Sequence, residues 1–509
     1  MKLYMKFAAV AGLVFVLSAC QTPMPQALRS KDVPDHFTAP IVKDAPVWPS
    51  TDWWTDFGSA ELSRLVDEAS ANNLDLAAAA ARVLQADAQA RISKAALSPT
   101  LSGQATGSRT RTASFGAGTG PSGAARNGSG ASTANSFGLS LNASYQVDVW
   151  GRAHDAAVSA NQQALSSRYA KQVVALTVTT NVADTYLATL ALRQRLGIAR
   201  QNVDVAKRTL NTVRAKLSHG TATQLDIEQQ ETLLANADAA VPALEEQERE
   251  ARYTLAILLG RVPEDFDVQG DSVDAIRSPL VAPGLPSELI SRRPDVAEAE
   301  ANLASAHADV DSARAAFLPQ IGLTGSGGST SSTLSNLLTN SAFGWSLGAN
   351  VVQTIFDGGA LKGQLALGRG RQQELIATYR AAVLNAFSDV ETNLGQVSSL
   401  AAQEQYRSAQ SHAASEAFRL AEVQYRRGVT DLLNVLTAQQ AMFTAQDLLV
   451  QVKLSRLQAD VGLYQALGGG WSESPDLATQ KVSVLNAPVG PEPAVVAANR
   501  AKLSAPEIR

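Results

Sequence analysis

The sequence predicts an internally duplicated α+β membrane protein, in which long antiparallel helix pairs alternate with a few amphipathic strands. Three observations point there. Two short glycine-centred tips recur about 208 residues apart, at Gly220 and Gly428, each between long Ala-, Leu- and Gln-rich stretches. Segments of strict apolar/polar alternation precede both helix pairs. A short apolar run at the N-terminus follows Lys2 and Lys6, the pattern of an export signal.

Composition narrows the classes. The 509 residues carry 43 basic and 47 acidic side chains, net −4, with no basic stripe, which argues against a nucleic-acid partner. Aromatic content is 6%, while small residues are abundant, as suits helices packed side by side. The single cysteine, Cys20, excludes an internal disulfide and a cysteine metal site.

In chain order, residues 1–19 form the signal, ending Leu17-Ser18-Ala19-Cys20. The apolar run is too short to span a bilayer. The ending resembles the bacterial lipoprotein box, which implies cleavage before Cys20, acylation of its thiol, and outer-membrane sorting given Gln21. The proline-rich residues 20–56 read as a lipid-anchored extended leader. No later stretch reaches about 18 consecutive apolar residues, so a membrane crossing requires strands.

Residues 57–265 form the first repeat. A helix from 61 to 96, with a break at Asn72-Asn73, ends at Pro99. Strands follow at about 99–108 and 137–149, separated by a Gly/Ser/Ala-rich loop from 109 to 136. In the second strand, Phe137, Leu139, Leu141, Ala143, Tyr145, Val147 and Val149 occupy one face, and Gly138, Ser140, Asn142, Ser144, Gln146 and Asp148 the other. That length and pattern suit either a lipid-facing strand of ~9–11 residues or a half-buried strand of a soluble sandwich. Residues 153–217 contain no proline and only one glycine, Gly197, and predict a helix of roughly 100 Å. A return helix runs from 221 to 259, with Pro242 as a kink or a join between two helices.

Residues 266–470 repeat the cycle: a helix ending at Pro319, strands at about 320–327 and 343–355, and helices from 360 to 426 and 430 to 467. Asp357-Gly-Gly359 stands where Trp150-Gly-Arg152 stood. Residues 471–509 read as a loosely ordered tail. Gly220 and Gly428 suit left-handed helix ends, and the Thr and Asp residues after them suit caps.

Four strands per chain cannot close a membrane barrel, for which about eight is the practical minimum. Open edges are not tolerated in lipid, so several chains must pool their strands.

Several stretches resemble the TolC superfamily of outer membrane factors, in its NodT/OprM-like efflux lipoprotein branch. They are Gly284-Leu-Pro-Ser-Glu-Leu-Ile-Ser-Arg-Arg-Pro-Asp-Val296, Val241-Pro-Ala-Leu-Glu245, Leu258-Leu-Gly-Arg261, Tyr145-Gln-Val-Asp-Val-Trp-Gly-Arg152, Ile355-Phe-Asp-Gly-Gly359 and the two tips. The resemblance covers about residues 50–468 and implies a homotrimer. Its 12-stranded transmembrane β-barrel would continue into a 12-helix periplasmic α-barrel with an equatorial region.

The implied function is a passive exit duct for drugs or other small molecules in a tripartite system. Its partners would be a periplasmic adaptor, an inner-membrane pump of the resistance-nodulation-division (RND) type and outer membrane lipids. A type I protein-secretion conduit is the alternative. By resemblance, the periplasmic gate falls on Asp226, Leu433, Asn434 and Thr437, with Asn434 and Thr437 where relatives often carry Asp. The residue-level alternative for Asp226 is a helix cap or a solvated side chain. The adaptor-contacting tips fall on His219, Gly220, Thr221, Arg427, Gly428 and Val429.

Nothing in the sequence favours an enzyme. His36, His154, His219, His307 and His412 are scattered, with no H-E-x-x-H or G-x-S-x-G, and no metal or cofactor is expected. The G-x-G-x-x-G at 118–123 contains Pro121 and precedes no helix, so it is not a nucleotide loop.

Overall fold

The computed structural model describes residues 28, 33–38, 48–113, 131–279 and 281–471. The signal 1–19, Cys20, the segment 114–130 with its G-x-G-x-x-G, and the tail beyond 471 lie outside the described residues, as does much of the leader. The described residues divide into two compact units, one drawn from 83–166 and 299–379, the other from 28–82, 167–298 and 380–471.

The first unit contains the strands. β1 (Thr100–Ala113), β2 (Ala131–Val147), β3 (Gln320–Ser331) and β4 (Phe343–Val352) form one antiparallel sheet in that order, with β1 and β4 at its edges. The register aligns the predicted apolar face across all four strands: Leu101 opposite Ala143, Tyr145 opposite Leu323, and Gly325 opposite Leu347. This face is uncovered within the chain, with Trp345 72% and Leu347 79% exposed. The other face carries hydroxyl and amide pairs, including Thr100 Oγ1 with Ser144 Oγ at 2.8 Å and Ser326 Oγ with Ser346 Oγ at 2.9 Å.

The strands are longer than the alternation suggests. β1 ends at Ala113 rather than 108, β2 starts at Ala131 rather than 137, and β3 ends at Ser331 rather than 327. Past the apolar band the ladder continues through pairs such as Arg109 with Asn135 and Arg111 with Thr133. Backbone pairing needs no apolar side chains, so the expected loop 109–136 shrinks at both ends. β4 stops at Val352 rather than 355. Gln353 there turns its Nε2 to the Phe317 carbonyl at 3.1 Å. Repeat one closes similarly, with Trp150 Nε1 donating to the Pro319 carbonyl at 2.7 Å.

The helices follow the duplication closely. α1 (Ala60–Asn72) and α2 (Leu74–Ala95) are separated at Asn73, whose extended backbone ends α1 while its Oδ1 accepts from Leu76 N at 3.0 Å to cap α2. α3 (Arg152–Ser218) has 67 residues and α4 (Gln224–Leu258) has 35. In repeat two, α5 (Pro294–Ala315) matches the 22 residues of α2. There α6 (Ala360–Arg426) has 67 residues and α7 (Leu432–Ala466) has 35. α4 runs unbroken through Pro242, so no join exists there. A proline removes one backbone donor, and the surrounding long helix tolerates the loss. One helix among the described residues, α3, has an 18-residue window of mean hydropathy 1.2, half of it buried within the protein.

The second unit holds the main core. Trp53 stacks on Tyr464 at 5.1 Å, and Tyr464 Oη donates to Asp56 Oδ2 at 3.0 Å, so the end of the leader packs against the end of α7. The Gly284–Val296 motif has a structural role. Arg293 pairs with Asp295 at 2.7 Å and Asp389 at 3.0 Å and donates to the Ala466 carbonyl, tying the head of α5 to α6 and α7. Arg292 lies 4.7 Å from the Trp48 ring.

Candidate functional site

Both predicted tips lie in the second unit and have the same local construction. At the end of α3, Gly220 N donates to the Leu217 carbonyl at 2.9 Å and Thr221 N to the Lys216 carbonyl at 2.9 Å. At the end of α6, Gly428 N donates to Tyr425 and Val429 N to Gln424, both at 3.0 Å. This is the paired closure of a helix through a left-handed residue, and φ is 70° at Gly220 and 77° at Gly428. No other atom would crowd a Cβ at either glycine, so it is the backbone angle that selects glycine there.

The next helices start with caps. Thr223 Oγ1 accepts from Asp226 N at 3.3 Å, and Asp226 Oδ2 accepts from Thr223 N at 2.7 Å, a reciprocal capping box. In repeat two, Asp431 Oδ1 accepts from Asn434 N at 3.1 Å, and Asn434 Nδ2 donates to Thr430 Oγ1 at 2.9 Å. Asp226 therefore fills the helix-cap role within one chain, and Asn434 braces the equivalent cap.

The remaining predicted residues sit on the tip surface. His219 Nδ1 donates to the Ala215 carbonyl at 2.6 Å, and Thr221 Oγ1 donates to the Lys216 carbonyl at 3.1 Å. Arg427 is exposed and Val429 is 74% exposed. Leu433 is 63% exposed, and Leu225, which the match between the two tips pairs with it, is 65% exposed. Thr437 Oγ1 donates to the Leu433 carbonyl at 2.9 Å. With Leu233, Ala414 and Gln440, Thr437 also lines a groove of about 1010 Å³.

The structure brings the two tips together through residues that sequence reasoning does not single out. Leu210, Val213 and Ile227 of the first hairpin pack with Phe418, Tyr425, Leu432, Val435 and Met442 of the second. Lys216 Nζ sits 4.6 Å from the Tyr425 ring centre. Burial, and then the nearby Asp226 carboxylate, push the Tyr425 hydroxyl pKa above its ordinary value. Among the described residues no cluster of His, Cys, Asp or Glu has metal-binding geometry.

Each tip lies between a 67-residue and a 35-residue helix, and the same construction occurs twice in the chain. The sequence profile described as "Outer membrane efflux protein" matches residues 65–261 and 285–469. The chain belongs to the outer membrane efflux protein family. It is 41% identical over 419 residues to the pyoverdine export outer membrane protein OpmQ of Pseudomonas aeruginosa, covering 82% of this chain and 87% of that one. It is 32% identical over 480 residues to the outer membrane protein OprJ of the same species, covering 92% and 97%. Among solved structures, the open state of the Neisseria gonorrhoeae MtrE outer membrane channel superposes with a TM-score of 0.76 at 29% identity, covering 88% of this chain and 98% of that one. The chain is thus an outer membrane efflux channel of the TolC-like fold, a duct without enzymatic activity.

Proposed function

We propose that this efflux channel is the outer membrane component of a tripartite RND-type system and works as a homotrimer. The observation that carries the reading is the four-stranded sheet. β1 and β4 are open edges, and the apolar face including Leu101, Leu139, Trp345 and Leu347 is bare. In lipid such edges must be paired, and four strands are too few to close, so three copies would supply a 12-stranded barrel. The long helix pairs of the same three copies would supply a 12-helix periplasmic tunnel. The tips at Gly220 and Gly428 would form its mouth and meet a periplasmic adaptor through His219, Thr221, Arg427 and Val429. Asp226, Leu433, Asn434 and Thr437 would ring the constriction, joined by Leu225. An acyl chain on Cys20 would add a second hold on the membrane. The similarity to OpmQ, named for pyoverdine export, supports a small-molecule cargo over a secreted protein.

The deciding measurement is the mass of the purified full chain in detergent, with crosslinking to a co-expressed adaptor. A trimer that crosslinks through the tips is expected. A stable monomer would sink both barrel and tunnel.

A further inference from the structure

Most polar groups at the tips are accounted for by caps and helix closures, but two buried amides are not. Gln439 is 0% exposed, yet neither its Nε2 nor its Oε1 has a hydrogen-bond partner. Gln230, also fully buried, donates Nε2 to the Ala206 carbonyl of α3 at 3.1 Å and leaves its Oε1 unmet. Gln439 lies on α7 one turn after Val435 and one before Met442, both members of the apolar cluster that joins the two hairpins. The neighbouring groove is lined by Leu436, Thr437 and Gln440, and not by Gln439. An apolar side chain of similar size would pack there without an orphaned donor and acceptor. Leaving such groups unpaired in the interior is a cost the packed state bears and a hydrated state does not.

We propose that Gln439 is a built-in release point for the tip. Its amide is unpaired while the two hairpins are packed together and becomes hydrated when α7 separates from its neighbours. The side chain therefore biases the equilibrium toward opening, and Gln230 adds to the bias through its single unmet oxygen. The inference rests on the reading of the tips as the channel mouth and adds a residue that sets how readily the mouth opens. One unpaired buried amide side chain is worth on the order of tenfold in such an equilibrium.

The test uses the full-length trimer carrying Gln439→Met, which nearly preserves volume, and separately Gln439→Leu. Hydrogen exchange at the backbone amides of residues 224–240 and 432–445 is measured beside export in cells. Either variant that assembles is expected to exchange about tenfold more slowly at the tips and to export several-fold less, at unchanged trimer level. Exchange that is unchanged or faster overturns the release-point assignment and leaves the mouth reading standing. Slower exchange with full export overturns the mouth reading, because a tightened tip would then have no consequence. Failure of both variants to assemble also overturns the assignment, because the amide would then be required by the packed state.

Discussion

Thr223 and Asp226 satisfy each other at the head of α4, the hydroxyl accepting one backbone N–H and the carboxylate the other. The pair allows the cap role of Asp226 to be separated from its charge. Thr223→Ala removes the hydroxyl acceptor and keeps the charge. It is expected to lower tip stability by about 1 kcal/mol, seen in thermal unfolding, with little change in conductance. Asp226→Asn keeps a capping side chain and removes the charge. Three such carboxylates around a constriction would hold counter-cations in the passage, so their loss is expected to raise resting ion conductance in planar bilayers without blocking adaptor binding. Equal conductance of Asp226→Asn and the unaltered channel would leave Asp226 as a cap alone.

Gly428→Val probes the turn itself. A φ of 77° is costly for a β-branched residue, of the order of 1–2 kcal/mol, and in the proposed trimer the cost would recur in every copy. Barrel and helices are expected to fold and reach the outer membrane, while export and adaptor crosslinking are lost. Crosslinking at the normal level would dissociate the tip from adaptor contact.

Much of this architecture is legible from the sequence, and the failures have a common cause. The limits of α3 are legible to within a residue at each end because 153–217 holds no proline and one glycine, so nothing interrupts the helix. Gly220 and Gly428 are legible because a left-handed residue between two helices leaves a local mark. The strand ends are not, since β1 and β2 continue through Arg109, Arg111 and Thr133, where pairing persists after alternation has ceased. The course of α4 is hidden for a related reason: Pro242 removes one hydrogen bond without ending the helix, because packing along its length holds the remaining turns. The contact of Tyr425 with Lys216 and the influence of Asp226 on its hydroxyl join segments about 200 residues apart and leave no local pattern.

Cys20 is the only residue of the chain that can carry a thioether-linked lipid. Cys20→Ser is expected to abolish acyl labelling while leaving assembly intact, because in the proposed barrel the strands would be the larger hold on the membrane. Mass spectrometry that finds residues 1–19 still attached to an unmodified Cys20 would remove the lipid anchor from this account.

Two largely buried carboxylates give the second unit a pH dependence of calculable sign. Burial pushes Asp184 on α3 up to about 7, and its Oδ1 is enclosed without a hydrogen-bond partner. Burial also pushes Asp460 on α7 up to about 6, opposed by the Ser278 hydrogen bond and the positive charge of Arg456, and reinforced by Glu404. An unfolded Asp titrates near 3.9. Between about pH 4 and 7 the folded chain therefore binds more protons than the unfolded one, and stability falls as pH rises through that window. The thermal midpoint of the purified channel is expected to be a few degrees higher at pH 5 than at pH 8. Asp184→Asn keeps the shape and removes the ionisation. It is expected to raise the midpoint at pH 8 and flatten the slope, with Asp460→Asn flattening the part below about pH 6. A midpoint that rises from pH 5 to pH 8 in the unaltered channel, or a slope untouched by both substitutions, would mean that these carboxylates are ionised and solvated in the folded protein.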